Sequence, residues 1–508
     1  MDDKESNTEN TKYLYGAAVQ GIQEFIFQTN KLIEIVGASE LVDKICTTAF
    51  QEFGGNGEQV VMAAGNIKHI FTERKECEKA VKNFPRKVMN MAPGITISQA
   101  VVTLRADEHD YAMQSDELEK RLRAQRNRAS RSMTMGLMGI KRAPATGLPA
   151  VDVDKEREWV DDASNKKQAH TKRKDDATFR LARKAFDCEV FKVSHENIAY
   201  DIDKIAGENS WIAVIHADGN GLGKIVREIG QDKGLMKKFS GSLDEMTKLS
   251  AKAAFSVVMD VCKDSKDGKW IIPIRPVILG GDDFTVICRA DFAVEYTQAF
   301  LKAFEEETKK MGELTGSKSA CLQAGLTACA GIAFVKSSYP FHYAIQLAES
   351  LCKRAKRVSK NLAKDKGVDL APSCLMFHKV QDSFIEDFAK IAERELKTNG
   401  LKLEFGPYYL HPQEKKWSIQ MLLDNTKLLD GKAGNAVKSH LREWLGLLFD
   451  NPLAADQKMK RLLLYNETVN NKEKQHIIKE LELKEFTEVE KVGRIPFYDM
   501  LSLLSIKK

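Results

Sequence analysis

Three aspartates stand at two predicted turns that directly follow strands. Asp218 ends an apolar, β-branched run, and Asp282 and Asp283 lie at the tip of a predicted hairpin, RPVILGGDDFTVICR. In a ferredoxin-like sheet the first strand and this hairpin can lie side by side, so the three carboxylates can meet at one edge. Carboxylate oxygens suit Mg²⁺ or Mn²⁺, and two such ions can activate a hydroxyl group and neutralise a leaving pyrophosphate. We therefore predict a site for two divalent ions that acts on nucleoside triphosphates.

Small residues around the aspartates could bring a nucleotide close to the backbone. Glycines leave amide groups uncovered, so these groups can contact phosphate oxygens. The residues predicted to bind nucleotide in this way are Gly219, Asn220, Gly221, Gly223, Gly280 and Gly281. A helix predicted from Phe341 to Val358 carries basic residues on its flank. Among them, Lys356 is the one that we expect to reach the triphosphate and to offset its charge.

Each of these features also has a plain structural interpretation. A Gly-Gly-Asp-Asp string can be an ordinary turn, and a basic helix flank is usually only solvated. The context favours a metal and nucleotide site, because a second aspartate–glycine turn precedes the hairpin and a basic helix follows it. His216 is expected to be packed and hydrogen-bonded rather than a ligand. No side chain stands out as a general base.

An internal repeat suggests two copies of one fold. The segments that start at residues 13 and 211 each run strand, helix, hairpin, helix, strand, which is the order of a ferredoxin-like or palm unit. Aligning the glycines of the two copies pairs Ala18 with Asp218, Asn66 with Asp282, and Ile67 with Asp283. The first copy therefore lacks every carboxylate of the second, and we predict that it is not catalytic.

The predicted fold class is α+β, with two ferredoxin-like palm domains, a charged insert and a helical C-terminal domain. The predicted boundaries are a degenerate palm at 1–104, a charged insert at 105–205, a catalytic palm at 206–368 and a helical domain at 369–508. Within the insert, the arginine-rich stretch 121–131 could hold RNA. It has no interleaved aromatic residues for base stacking, so a solvated helix face is the preferred interpretation.

Composition narrows the class of protein without naming a function. With 508 residues, 43% of them hydrophobic and 30% charged, the chain is globular and too long for one domain. No apolar run is long enough to span a membrane or to direct export, so we expect a cytoplasmic protein without membrane contact. The nine cysteines are scattered and never spaced C-x-x-C, which predicts reduced thiols and no zinc site. The net charge of +6 allows an anionic partner without requiring one.

Several motifs resemble those of the large, polymerase-like subunit of type III CRISPR effector complexes, which carries two palm domains. The matching motifs are GIQEFIF at 21–27, DGNGLG at 218–223, GGDD at 280–283, AGIAFVKSSYPFHYAIQLAESLCKRAK at 330–356 and FHKVQDSF at 377–384. In that family the second palm binds two ATP molecules and two divalent ions, and it makes cyclic oligoadenylate messengers in antiviral defence. The resemblance thus implies ATP as the substrate.

The resemblance also assigns roles to individual residues. It implies that Asp218, Asp282 and Asp283 are the metal ligands, and that Gly280 and Gly281 lie under the nucleotide. The first palm would be a scaffold or an acceptor-nucleotide site, and RNA or other protein subunits would be partners. A homo-oligomer is left open.

Two departures from the family limit what the resemblance implies. Many relatives begin with a histidine–aspartate nuclease domain, whereas here the first palm starts almost at once, so DNA cleavage by that route is not expected. Relatives also place cysteine zinc ligands between the palms. This chain has only RAPATGLPA at 142–150, which contains no cysteine, so we expect no zinc.

The preferred hypothesis is a metal-dependent nucleotidyltransferase that joins nucleoside triphosphates into a cyclic or short linear oligonucleotide. A second hypothesis is an RNA-binding scaffold subunit of a type III CRISPR-like complex, in which synthesis is secondary or lost. A third is a palm polymerase, or a dinucleotide cyclase of the GGDEF type. The third is less favoured, because Asp283 stands where that class has glutamate and because the chain has a second palm-like copy.

Overall fold

The structure is a computed structural model. The residues that it describes are 11–63, 65–104, 108–128, 138–154, 157–172, 180–229, 232–262, 270–315, 320–381, 387–398, 401–413, 417–468, 472–487 and 493–507. Residues 129–131 of the arginine-rich stretch and residues 382–384 of FHKVQDSF lie outside this set.

The first palm is built on a four-stranded antiparallel sheet. Its elements are β1 (Lys12–Gln20), α1 (Ile22–Ile26), α2 (Leu32–Lys44), β2 (Glu58–Ala63), β3 (Asn66–Phe71), α3 (Arg74–Met91), β4 (Thr96–Leu104) and α4 (Glu108–Arg126). The strand order is β2-β3-β1-β4. A π-helical turn, Ile45–Ala49, extends α2. Helix α4 covers one face of the sheet, where Leu118 packs with Leu14 and Val102. The helix therefore completes the first palm, although it lies in the stretch predicted as insert.

The insert consists of a short ribbon and two helices. Its elements are β5 (Ala150–Val153), β6 (Trp159–Asp161), α5 (Asp162–Lys172) and α6 (Arg180–Ala185), and α7 (Ile202–Ala206) leads into the second palm. Helix α5 lies against α2, where a Cβ at Gly37 would come within 2.0 Å of the Lys167 carbonyl oxygen. The buried Lys167 ammonium donates a hydrogen bond to the carbonyl of Phe25 (2.7 Å). The insert is thus anchored on the first palm.

The second palm is built on the larger sheet. Its elements are β7 (Trp211–Gly219), α8 (Leu222–Ile229), α9 (Lys233–Cys262), β8 (Ile274–Gly280), β9 (Asp283–Arg289), α10 (Ala293–Thr308), α11 (Met311–Thr315), α12 (Ala320–Ala324), β10 (Ala328–Lys336), α13 (Phe341–Asp365) and β11 (Cys374–Lys379). Helix α13 packs so closely on β10 that a Cβ at Gly331 would lie 2.0 Å from the Ala348 carbonyl oxygen. Helix α10 covers the other face, where Phe300 stacks on Phe284.

The C-terminal part of the chain is mainly helical. Its elements are α14 (Phe388–Glu395), β12 (Lys397–Thr398), β13 (Leu401–Lys402), β14 (Tyr408–Tyr409), α15 (Ile419–Asp430), α16 (Lys432–Asp450), α17 (Pro452–Thr468), α18 (Lys472–Glu480) and α19 (Phe497–Ile506). Strand β14 joins the large sheet, whose order is β14-β11-β10-β7-β9-β8. The Tyr408 hydroxyl donates a hydrogen bond to the buried Asp499 carboxylate (2.6 Å), which ties α19 to this sheet.

The structure confirms the α+β fold class with two palm-type sheets and a helical C-terminal part. One predicted helix start is wrong. Ser242 and Glu245 have the spacing of a capping box, which predicts from the sequence a helix that starts at Leu243, but α9 begins at Lys233. The buried Phe239 continues the apolar stripe of Leu243 upstream, so Ser242 lies inside the helix.

The glycine-based alignment of the two copies is also wrong by one residue in the hairpin. Ala18 pairs with Asn66 across the first sheet, as Asp218 pairs with Asp283 across the second. Asn66 therefore corresponds to Asp283. The reason is that the glycine with positive φ is the second turn residue in the first hairpin, Gly65 (φ +81°), but the first turn residue, Gly281 (φ +61°), in the second.

The two palms contact each other through α2, α6 and α9. The Ser39 hydroxyl on α2 donates a hydrogen bond to the carbonyl of Val277 on β8. Arg275, also on β8, is fully buried. Its guanidinium lies over the Tyr200 ring (5.1 Å), and the charge of Glu40 on α2 stabilises it. Burial raises the pKa of Glu40 to about 7, although Glu40 accepts a hydrogen bond from the Leu181 amide. The contact between the palms thus contains buried charge from both sides.

All eight cysteines described in the structure are free thiols, and six of them are buried. Among the helices of the described residues, none combines the length and the apolarity that a membrane span needs.

Candidate metal and nucleotide site

Strand pairing brings the three predicted aspartates together. Asp218 near the end of β7 is the register partner of Asp283 at the start of β9. Partners across an antiparallel pair have Cα atoms about 4.5–5.5 Å apart, so both side chains lie on one face. Asp282 occupies the adjoining turn, where a Cβ added at Gly219 would lie 3.2 Å from the Asp282 Cβ. The prediction that these carboxylates converge is therefore matched by the geometry.

Lys356 on α13 reaches the same cluster. Its ammonium lies 2.5 Å from Oδ2 of Asp218 and donates a hydrogen bond to the Gly219 carbonyl (2.7 Å). The side chain comes from the helix face that borders the sheet, because α13 is held against β10 at Gly331. Lys356 is thus fixed at the carboxylates, and its predicted contact with a triphosphate stays a prediction.

The cluster holds more carboxyl groups than can easily ionise at the same time. Burial, together with a hydrogen bond and the charge of Asp218, raises the pKa of Asp282 to about 7. Burial raises the pKa of Asp283 to about 7 as well, and the charges of Asp218 and Asp282 add to this effect. A cation would favour the ionised forms and reverse both shifts.

A fourth carboxylate belongs to the site, and the sequence analysis missed it. The charge of Glu349 on α13 contributes to the raised pKa of Asp283, and burial raises the pKa of Glu349 itself. Its carboxylate lies 3.6 Å from the Lys353 ammonium. Glu349 is seven residues from Lys356, a spacing of two helical turns that could have identified it.

His216 is packed beside the cluster, as expected. It is 8% exposed, and its Nδ1 is hydrogen-bonded with the Thr285 hydroxyl (3.1 Å). The same nitrogen lies 3.5 Å from Oδ1 of Asp283, which is too far for a good hydrogen bond. Burial lowers the pKa of His216 to about 4, so its imidazole is neutral at pH 7. A neutral imidazole here supports Asp283 by packing and supplies no positive charge.

The fit of the carboxylates to a divalent ion can be judged from their surroundings. Within the described ranges, no three His, Cys, Asp or Glu side chains are already arranged as a metal cage. However, Oδ1 of Asp283 is buried and has no hydrogen-bond partner in the described part of the chain. An unpartnered carboxylate oxygen beside two further carboxylates is chemically suited to a hard cation. The residues therefore fit such an ion, which would compete with the Lys356 ammonium at Asp218.

The residues predicted to bind nucleotide surround the cluster, although some have structural tasks. The Asn220 amide donates hydrogen bonds to the Thr327 hydroxyl (3.1 Å) and to the Ala371 carbonyl (3.2 Å), so it fastens the turn after Asp218. Gly221 has φ +74°, which favours glycine. Gly223 lies in the first turn of α8 and has open space around its Cα. Contacts of these residues with a nucleotide remain a prediction.

A cavity of about 740 Å³ lies between the two palms and opens onto the cluster. Its volume is in the range of small-molecule sites. The first palm contributes Val19, Ile22, Ser39, Val42, Asp43, Thr48 and Met62 to the wall, the insert contributes Leu181 and Lys184, and the second palm contributes Asp244, Lys248, Ile278, Leu279, Gly280 and Asp283. The candidate ligand Asp283 thus faces a space that both palms enclose.

Comparisons with known proteins agree with this architecture. Residues 211–364 match the family model of Cas10/Cmr2, second palm domain. The crystal structure of a Csm1–Csm4 cassette in complex with cA4 has a TM-score of 0.52 and 12% identity over 98% of this chain and 70% of that chain. The corresponding complex with cA3 has a TM-score of 0.50 and 13% identity over 98% of this chain and 69% of that chain.

At these identities the structural matches show the fold. No curated protein matches the sequence. The chain therefore has a Cas10-like fold, and its residues 211–364 are similar to the second palm domain of Cas10/Cmr2.

Proposed function

We propose that the protein is a metal-dependent nucleotidyltransferase that joins nucleoside triphosphates, with ATP favoured, into a cyclic or short oligonucleotide messenger in antiviral defence. The observation that carries this proposal is the register pairing of Asp218 with Asp283, beside Asp282 and under the Lys356 ammonium. The Cas10/Cmr2 palm match at residues 211–364 supports it.

Each side chain of the cluster has a distinct task in this reaction. Asp218, Asp282 and Asp283 would hold two Mg²⁺ or Mn²⁺ ions, which when bound activate the attacking hydroxyl and neutralise the leaving pyrophosphate. The Lys356 ammonium would move from Asp218 toward the phosphates and offset the charge that develops on them. No general base is required of the protein, in keeping with the neutral, packed His216.

The cavity between the palms would hold the second nucleotide. Asp283 lies in its wall, so a nucleoside bound there could present its 3′-hydroxyl to the triphosphate held at the carboxylates. Most of the wall is apolar, as suits a base. The similar Csm1–Csm4 cassettes are complexes with cA4 and cA3, which supports a cyclic product. Their assembly of two proteins supports a second protein subunit as partner.

The decisive experiment compares both palms in one synthesis assay. Purified protein is incubated with each nucleoside triphosphate and Mg²⁺ or Mn²⁺, with and without RNA, and products are identified by mass spectrometry. We expect the Asp282→Ala/Asp283→Ala variant to lose product by about 10³-fold or more, because several interactions made in the transition state are removed together. The matched control is Asn66→Ala, at the position of the first palm that corresponds to Asp283, and it should stay within about twofold of wild type.

The same assay separates the competing functions. Equal product from wild type and the double variant would overturn the proposal. Absence of product under every condition, together with tight RNA binding, would support the scaffold hypothesis instead. Product that depends on a template strand would support a palm polymerase.

A further inference from the structure

The exposed face of α13 is unusually basic and leads away from the candidate site. Residues 353–364 read KRAKRVSKNLAK, with six lysines and arginines and no acidic residue among twelve positions. This is the densest run of unbalanced charge on a helix that contacts the carboxylate cluster. A block of like charges on a solvated helix is an electrostatic footprint that attracts polyanions.

Four of these residues form a line along one side of the helix, which we call the basic stripe. Lys353, Arg357, Lys360 and Lys364 follow one another at spacings of four, three and four residues, and all four are exposed. Residues at such spacings lie on the same helix face. With a rise of about 1.5 Å per residue, the stripe is about 17 Å long. It can therefore contact several successive phosphates of one strand.

Most of the stripe has no acidic partner. Arg357, Lys360 and Lys364 make no hydrogen bond or ion pair with their side chains in the part of the chain that the structure describes. By contrast, Arg354, on the neighbouring side of the helix, pairs with Glu404 (2.5 Å). The stripe thus carries positive charge that the protein itself does not neutralise.

A helix of the first palm shows that this arrangement is not general in the protein. Helix α3 also exposes three lysines at helical spacing, Lys75, Lys79 and Lys82. There, however, Glu76 and Glu78 stand between the lysines in the sequence, so the local charge is nearly balanced. The contrast makes α3 a matched control for the charge of α13.

The stripe is continuous with the candidate site. Lys356 belongs to the same helix turn as Lys353 and Arg357, and it contacts Asp218 at 2.5 Å. Beyond the end of α13, Asp369 pairs with Lys224 of α8 (3.3 Å), the helix that follows the turn after Asp218. A polyanion lying along the stripe would therefore have one end at the carboxylates.

We propose that the basic stripe of α13 is a track for the phosphodiester backbone of a single-stranded oligonucleotide that reaches the carboxylate cluster. The contacts would be to phosphates, because the stripe exposes cations without aromatic side chains for base stacking. Binding is then independent of sequence and falls steeply with salt. The occupant is the growing product of the site, because the stripe begins beside the carboxylates at Lys356; this identity rests on the proposed function.

Equilibrium binding tests the track without any synthesis. The full-length Asp282→Ala/Asp283→Ala protein is titrated into fluorescein-labelled triadenylate or dodecaadenylate RNA, and fluorescence anisotropy is measured between 50 and 300 mM salt. Adding Arg357→Ala/Lys360→Ala/Lys364→Ala should weaken binding by about tenfold or more at low salt. It should also reduce the slope of log K against log salt by about 2, the loss expected for three phosphate contacts. The control, Lys75→Ala/Lys79→Ala/Lys82→Ala, removes equal charge and should remain within about twofold.

The two probes distinguish the occupants of the track. Weaker binding of both probes supports the growing product as the occupant, and weaker binding of the dodecamer alone would overturn this identity in favour of a separate RNA. Equal affinities of the α13 and α3 variants for both probes would overturn the proposal, as would an unchanged salt slope. Because catalysis is switched off in this background, a failure here is independent of whether the proposed synthesis is found.

Discussion

The two palms distribute charge in opposite ways under their covering helices, although at different strand positions, because Lys68 lies two residues after Asn66, the counterpart of Asp283. In the second palm the strands carry the acids, Asp218 and Asp283, and the helix carries the cation, Lys356. In the first palm the strand carries the cation Lys68, and α4 carries the acid, Glu119, 2.8 Å away. In the first palm, therefore, the strand and the covering helix form an ion pair in which the charges are equal. In the second palm the carboxylates outnumber the lysine that contacts them.

This difference shows where the function resides in a repeated fold. The Lys68–Glu119 pair balances its own charge and needs no ligand. The second palm has three aspartates for one nearby lysine, and an aspartate oxygen without a hydrogen-bond partner in the described residues. Charge that is left unbalanced inside a protein is costly unless a ligand compensates it. The comparison thus favours the second palm as the half in which we expect a cation to bind.

The largest expected effect comes from removing the positively charged side chain of Lys356 in the second palm. Lys356→Ala should lower the rate of synthesis by about 10²-fold, because the positive charge nearest the reacting phosphates is lost. Pyrophosphate release measures this rate. Glu119→Gln, which breaks the ion pair of the first palm, should leave it within about twofold and change the free energy of unfolding by less than about 1 kcal/mol. Similar rates for Lys356→Ala and wild type would remove Lys356 from the site.

An intermediate effect is expected where the covering helices contact the sheets. A Cβ at Gly331 would lie 2.0 Å from the Ala348 carbonyl oxygen, which is backbone, whereas a Cβ at Gly16 would lie 2.8 Å from the Leu118 side chain. Side chains can move and helix backbone cannot. Gly331→Ala should therefore cost about 3 kcal/mol or more, and Gly16→Ala about 1 kcal/mol.

Urea unfolding monitored by circular dichroism measures both free energies. Gly223→Ala serves as a control, because this helical position has open space and should lose no stability. A smaller loss for Gly331→Ala than for Gly16→Ala would contradict the rigid contact between α13 and β10.

The smallest expected effect is a pH dependence of stability without metal. The pKa values of Asp282 and Asp283 are about 7 in the folded protein, against about 3.9 when unfolded. The folded state therefore binds more protons between these values, and the two aspartates lower the stability progressively as the pH rises from about 4 to 7. Asp282→Asn/Asp283→Asn removes this penalty, while Asn66→Asp would test whether the first palm can acquire it.

The corresponding measurement is a thermal melt in EDTA. At pH 8 the Asp282→Asn/Asp283→Asn variant should melt above wild type, and at pH 5 the difference should be smaller. Mg²⁺ should raise the melting temperature of wild type only. An equal difference at both pH values would show that the pKa values of these two carboxyl groups are not raised in the folded state.

Local sequence signals were sufficient for the strands and for the aspartate cluster. Apolar β-branched runs, a Gly-Gly turn and the strand order of a palm predict that Asp218 meets Asp283, because the turn places Asp283 at the hairpin tip and the palm order sets this hairpin beside the strand that carries Asp218. The alignment is wrong by one residue at Asn66 because a glycine indicates that a turn contains a positive φ but does not indicate at which turn position. Register is decided by pairing across the sheet, which an alignment of glycines does not contain.

Features that depend on tertiary packing were not predictable in the same way. Helix α4 lies in a charged stretch, and its role appears only when Leu118 meets Leu14 across the sheet. Glu349 has no motif of its own, and its place at the site depends on the rotation of α13 about its axis. Lys184 lines the cavity only because the insert packs against both palms.

The buried Arg275 has a consequence for how the two halves of the protein can evolve. Its guanidinium has no hydrogen-bond partner in the described residues, and its stabilising carboxylate, Glu40, belongs to the other palm. Replacing either residue alone would leave the other charge buried without its partner, which would lower the free energy of unfolding by several kcal/mol. Substitutions at positions 40 and 275 are therefore expected to occur as a pair, so the first palm cannot drift freely in sequence from the second.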